Sequence, residues 1–237
     1  MALAVVGTAV AAWVVLVWSI LVEVDEHGHT HGAAELGVGA LLVGWGLMVV
    51  AMMLPTALPM IEVLSQLVSG RRWAPSLVVL GVACFVAVWT VVGLVLVANS
   101  AALTVVARQW EWLAGRRAVI AGIVLVGAGA YQLSPLKNAC LRACRTPTSF
   151  AFGHWRGRRP VVLEVIRMIG AYSASCVGCC WALMAVCFAA GTAVALPVML
   201  ALSVAMAAER LASWGLRLVR PLGYVLIASG VGTAVLL

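Results

Sequence analysis

Apolar runs long enough to cross a bilayer, with few or no charges, recur along this chain, and they limit its folds more than any other feature. They occupy roughly 3–21, 36–68, 77–98 and 118–133, and more follow toward the carboxyl end. In lipid, a run of that length satisfies its own backbone polar groups only as a helix. Only 10% of the 237 residues are charged and 65% are hydrophobic, whereas a soluble domain averages about 25% charged residues. Removing the runs leaves no stretch that could form a water-soluble domain, so 1–237 reads as a single integral membrane domain. The first run is too long for a signal-peptide core and lacks a basic leader and a small-residue cleavage site, so it reads as a retained helix. The expected fold is all-α, a polytopic transmembrane bundle of about seven helices.

The second run exceeds the ~20 residues of one straight crossing. Pro55 and Pro59 fall inside it, which predicts a helix kinked at those prolines. Seven crossings leave an acidic loop, 23–35, after the first and a long polar segment, 137–172, before the fifth. Gly153, Gly157 and Pro160 make that segment irregular ahead of a short amphipathic helix over 161–169. The fifth crossing carries most of the cysteines, with Ser173 or Ser175 as its N-cap. Pro197 separates it from a sixth that ends at Glu209-Arg210, and 222–237 forms a short seventh.

With the amino terminus in the cytoplasm, twelve basic residues fall inside: Arg71, Arg72, Lys137, Arg142, Arg145, Arg156, Arg158, Arg159, Arg167, Arg210, Arg217 and Arg220. Only Arg108, Arg116 and Arg117 fall outside, an asymmetry of the kind the positive-inside rule describes. The expected location is the bacterial cytoplasmic (inner) membrane. The net charge of +7 follows from those loops. No segment interleaves basic and aromatic residues as a nucleic-acid surface would, so the expected partners are the lipid bilayer and other membrane proteins, with no nucleic acid.

Within this framework the stretch Cys176-Val177-Gly178-Cys179-Cys180-Trp181-Ala182-Leu183-Met184 needs a reason, because an apolar crossing requires no cysteine. At about 100° per residue, Cys176, Cys180 and Cys187 lie on nearly one line, flanked by Met184 and Cys179. Cys140 and Cys144, four apart, share a face of a helical turn. The topology brings both groups to the cytoplasmic end, where the second run descends with Met48, Met52, Met53 and Met60. Thiolate plus thioether is a soft ligand set. It favours copper(I), admits zinc where thiolates dominate, and disfavours magnesium or calcium. The positive amino end of the cysteine helix and the nearby arginines would support thiolates there.

Other readings compete. Cysteine is also a small hydrophobe and methionine a gap filler, and Cys84 or Met199 alone reads that way. Cys176 and Cys179 have the spacing of a dithiol relay, although the cytoplasm is reducing and adjacent Cys180 has no resolving role. A third reading makes the chain a non-catalytic helical subunit of a membrane complex. His27, His29 and His31 alternate with small residues in the acidic loop, a pattern that binds copper(II), nickel or zinc loosely or is simply solvated. Glu62 and Glu209 are carboxylates in apolar runs, and Glu209 is expected to pair with Arg210 or Lys137. No Ser-His-Asp set, phosphate loop or His-Glu-x-x-His motif appears, so hydrolase and nucleotide chemistry have no support.

A wider pattern joins these residues. Trp45-x-x-Met48-x-x-x-Met52-Met53-x-Pro55 is followed by Tyr131-Gln132 and Pro135-x-Lys137-x-x-Cys140-Leu141-x-x-Cys144-Arg145-x-Pro147. Then come Gly170, Cys176-x-Gly178-Cys179-Cys180-Trp181-x-Leu183-Met184, and Glu209. In these marks the chain resembles a bacterial family of uncharacterised polytopic proteins, predicted metal-binding integral membrane proteins. The resemblance covers most of the chain from Trp45 onward. It implies a membrane helix bundle with the same cysteines and methionines as candidate ligands. The histidine loop is not part of that pattern, and the family's usual Glu-Lys is Glu209-Arg210 here.

The expected function is soft-metal handling, with copper(I) as the metal and zinc as the alternative, for delivery, transfer or sensing. Cys140, Cys144, Cys176, Cys179 and Cys180 are the candidate thiolates, Met48, Met52 and Met53 the candidate thioethers, and His27, His29 and His31 an external collector. A membrane metalloenzyme is the expected recipient.

Overall fold

The computed structural model describes residues 2–26, 38–109, 117–189 and 192–236. His27, His29 and His31 lie outside them. Every described element is a helix: α1 (Ala2–Glu26), α2 (Val38–Met48), a π-helical turn (Val49–Met53), α3 (Leu54–Leu67), α4 (Ala74–Gln109), α5 (Arg117–Gln132), α6 (Pro135–Arg145), α7 (Pro147–His154), α8 (Val161–Ala189), α9 (Thr192–Leu211) and α10 (Gly215–Leu236). Among the described residues, three segments are long and apolar enough to cross a membrane: Leu41–Leu67, Ala74–Asn99 and Val161–Cys187. A fourth results if Ala118–Gln132 and Pro135–Arg145, bent by 63°, are taken as one broken span. The outward faces carry exposed Val10, Val14, Val79, Val91, Val95, Val204 and Val225.

The irregularity expected in the second run takes a specific form. Pro55 has no N–H for the carbonyl four residues back, and its ring crowds that carbonyl. The backbone widens into the π turn at Val49–Met53 and then resumes as α3. Pro59 lies inside α3 without ending it. The turn buries Met52 and Met53, whereas Glu62, further along α3, is exposed.

Two sequence expectations fail on the cysteine helix. The amphipathic segment over 161–169 and the crossing that follows it are one helix, α8. Ser173 and Ser175 do not cap it; their hydroxyls bond back to the carbonyls of Ile169 and Ala171. The buried positions Val165, Met168, Ile169, Tyr172 and Cys176 run at helical spacing straight through the supposed break, so no packing reason exists to interrupt it. Cys176 is therefore about 22 Å from the helix's amino end, well beyond the first turn in which that end exerts its effect. Pro197, expected between helices, lies inside α9. The segment 137–172, expected to be polar and irregular ahead of its short helix, is mostly α6, α7 and the start of α8, with the left-handed Gly157 (φ +67°) between the last two.

Glycines set the closest helix approach. On α5, Gly122 and Gly129 are seven apart, as are Gly223 and Gly230 on α10. A Cβ on Gly122 would stand 2.6 Å from the Gly230 carbonyl, and one on Gly129 would stand 2.6 Å from that of Gly223. The pairing is antiparallel, and the seven-residue pitch keeps both contacts in one seam. Elsewhere, Trp45 of α2 donates from its indole to the Trp89 carbonyl of α4 at 2.8 Å, its ring occupying the space left at Gly93.

Candidate metal centre

The site is built where α6 packs on α8. Ser134 caps α6 by accepting from the Lys137 amide at 3.1 Å, and Pro135 occupies the first turn, the arrangement favoured at a helix start. The helix then places Lys137, Leu141 and Cys144 on its buried face, at the i, i+4, i+7 spacing of one stripe. Cys140, one position short of that stripe, is half-buried. Its sulfur rests against α8 at Gly178, where an added Cβ would stand 2.6 Å away. Tyr131 fastens the same place, donating to the Gly178 carbonyl.

From α8, Cys176, Cys179 and Cys180 are all buried. The Cys179 and Cys144 sulfurs are 3.7 Å apart, and those of Cys179 and Cys180 3.2 Å. Cys176, fully buried beside them, accepts from the Cys179 thiol at its carbonyl at 3.2 Å. Four sulfurs from two helices thus form one buried cluster. Two thiolates sharing an ion at about 2.3 Å each stand roughly 3.7–4.0 Å apart, so the Cys144–Cys179 pair already has a ligand-pair separation. The 3.2 Å contact is too close for that and is a packing of thiols. Among the described residues, no group of three or more His, Cys, Asp or Glu side chains is arranged to hold an ion.

Cys187, two helical turns beyond Cys180, is buried among apolar side chains. Met48, Met52, Met53 and Met60 are buried too. Met53 is tied to the cluster indirectly: its carbonyl accepts from the Thr56 hydroxyl at 2.9 Å, Thr56 accepts from Arg210, and Arg210 reaches Cys176 at 3.1 Å.

Two polar groups complete the surroundings, and of the two partners expected for Glu209 the structure gives it Lys137 and sends Arg210 elsewhere. Arg210, 4% exposed, donates to Thr56, to the Cys176 sulfur and to the Tyr172 hydroxyl at 3.0 Å. Glu209 points the other way, taking Lys137 at 2.6 Å and Gln132 as partners inside the protein. Arg145 then closes α9 by donating to the carbonyls of Glu209 and Ala212, which the helix end leaves without partners. The available signal was two opposite charges side by side at the end of an apolar helix. Adjacent residues point about 100° apart, so each needs its own partner. On the other face of α6, Asn138 and Arg142 border an open cavity of about 470 Å³ with Leu216, Arg217 and Arg220 of α10.

A family model described as PpoB2, copper chaperone, matches residues 42–233, which takes in all of these side chains. No curated protein and no solved structure matches the chain.

Proposed function

The chain belongs to the PpoB2 family of copper chaperones, and on that premise we propose that it carries copper(I) in the α6–α8 sulfur cluster of a bundle set in the bacterial cytoplasmic membrane. The observation that carries this reading is the 3.7 Å approach of Cys144 to Cys179 across two helices. It juxtaposes two soft ligands from segments far apart in sequence, and soft sulfur selects copper(I) over hard cations. Cys144 and Cys179 hold the ion. Cys176 and Cys180 stand beside them as exchange ligands, and half-buried Cys140 is the outermost sulfur, where the ion enters or leaves. Met52 and Met53 supply thioethers from the π turn.

Copper is cargo in this scheme. It moves when an incoming thiolate or thioether replaces one held by the chain, so the exchange changes no oxidation state and breaks no covalent bond. The exposed apolar faces of α1, α4 and α10 suit lipid. The amino terminus is cytoplasmic, so α8 enters from the inner face and carries the cluster well inside the bilayer. The arginine-rimmed cavity beside α6 offers an acidic recipient, such as a membrane metalloenzyme, a place to dock.

Copper and zinc content of the detergent-purified protein, wild type against Cys144→Ser/Cys179→Ser, tests the reading. Bound copper with a sulfur-only X-ray absorption shell in the wild type, lost in the double variant, is the expected result. Equal and negligible copper in both sinks it. A Cys176–Cys179 disulfide that forms and reopens, with no copper bound, favours the thiol-redox reading instead.

A further inference from the structure

The glycine seam holds α5 against α10 as far as Gly129 and Gly223, and just beyond it the chain bends by 63° into α6. The bend turns α6 off the line of α5 and leaves a wedge at the foot of α10. This wedge is the open cavity of about 470 Å³, with Asn138 and Arg142 on one side and Leu216, Arg217 and Arg220 on the other. All three arginines are exposed, and among the described residues none has a carboxylate partner. Glu209 is taken by Lys137, Glu164 is buried at the start of α8, and Glu62 belongs to α3. Three like charges on one small cavity repel each other, so the wedge is set for an anion. Guanidinium groups pair especially well with the oxygens of a phosphate.

The face of α10 that continues from the cavity identifies the anion. Arg217, Arg220, Tyr224, Ala228 and Val231 follow at three- and four-residue steps, so they form one stripe, and all five are exposed. The stripe passes from guanidinium to phenol to purely apolar. From Arg220 to Val231 it rises roughly 16 Å, close to the ~15 Å of hydrocarbon in one leaflet. Exposed Trp214, just ahead of the cavity residues, is a residue type enriched at the boundary between headgroups and hydrocarbon. A free phosphate ion would use only the arginines, and an acidic protein surface would meet apolar side chains beyond Tyr224. A phospholipid matches the whole stripe. We propose that the α6–α10 wedge binds the phosphate headgroup of an anionic phospholipid, whose acyl chains lie along α10 from Tyr224 to Val231. Basic pockets between membrane helices on the cytoplasmic side suit such headgroups. An acidic recipient docking at the same place must first displace the lipid. The inference uses the membrane setting of the bundle and not its metal.

Native mass spectrometry of the detergent-purified protein, titrated with phosphatidylglycerol and with zwitterionic phosphatidylcholine of the same acyl chains, tests it. Wild type should hold one phosphatidylglycerol at least tenfold more tightly than phosphatidylcholine. Arg142→Gln/Arg217→Gln/Arg220→Gln should lose that preference. Arg71→Gln/Arg72→Gln/Arg158→Gln removes as many exposed charges outside the cavity and should keep it. No preference in wild type, an unchanged preference in the cavity variant, or an equal loss in both variants overturns the proposal. Glycerol phosphate at the same concentration should leave the lipid bound; displacement reassigns the wedge to a free phosphate ester and sinks the lipid assignment. A cavity variant that keeps its lipid but loses a protein co-purifying from native membranes hands the wedge to an acidic partner and overturns the proposal as well. Wild type that binds this lipid but no copper keeps the inference and loses the copper reading.

Discussion

Lys137 and Glu209 form an ion pair at 2.6 Å with both side chains sealed from solvent, and the pair joins the first turn of α6 to the end of α9. Gln132 closes the network by donating to the other carboxylate oxygen while accepting from Lys137. Removing one partner strands a buried charge, a loss of about 3–5 kcal/mol. Lys137→Met and Glu209→Gln should each lower the unfolding midpoint in detergent sharply. The double variant should lose clearly less than the sum of the two. Additive losses would show that the pair does not act as a unit.

Gly178 is the point where α6 leans on the cysteine helix, because an added Cβ would stand 2.6 Å from the Cys140 sulfur. Gly178→Val should push α6 away, costing roughly 1–3 kcal/mol for an overpacked contact and weakening copper retention. Shortening the obstacle with Cys140→Ala in the same chain should recover much of the stability. No recovery would mean that the glycine serves some contact other than Cys140.

The α5–α10 seam makes a prediction remote from the cluster. A leucine at Gly129 would collide with the Gly223 carbonyl and with Ile227, and backbone cannot step aside as a flexible side chain can. Gly129→Leu should destabilise the bundle by several kcal/mol, at or above the usual overpacking range of about 1–3 kcal/mol. The sulfur shell around any copper retained by the folded fraction should be unchanged. An altered X-ray absorption shell would show that the seam shapes the site.

The residues show which parts of this architecture could be read in advance. Apolar runs dictate helices because their backbone has no other way to satisfy itself in lipid, and the four-residue spacing of Cys140 and Cys144 dictates a shared face wherever that segment is helical. Neither depends on distant contacts. The N-cap reading of Ser173 and Ser175 failed because a serine inside a helix can bond its own i−4 carbonyl as readily as cap, and only packing against α4 and α6 decides between the two. Pro197 was read as a break although a helix held by neighbours accommodates a proline. The glycine seam was legible in principle, since residues 122, 129, 223 and 230 are spaced in sevens, but which helices face each other is tertiary information. Arg210 was harder still. Its role depends on a threonine, a tyrosine and a cysteine from two other helices, and no spacing rule connects them.

Thr56 offers the sharpest test of whether the methionine turn belongs to the metal centre. Its hydroxyl donates to the Met53 carbonyl at 2.9 Å and accepts from Arg210, so one oxygen links the π turn to the side chain that holds Cys176. Thr56→Val keeps the shape and removes both bonds, taking one acceptor from the buried Arg210 at a cost of about 1–3 kcal/mol. Thr56→Ser keeps the hydroxyl and should behave much like wild type. If the π turn contributes a thioether to the loaded site, the rise in unfolding midpoint on adding copper(I) should shrink in Thr56→Val beyond its loss of intrinsic stability. Met53→Leu should shrink that rise as well. A Thr56→Val protein that is less stable without copper yet gains as much from copper as wild type would limit the turn to packing and confine the ligands to α6 and α8.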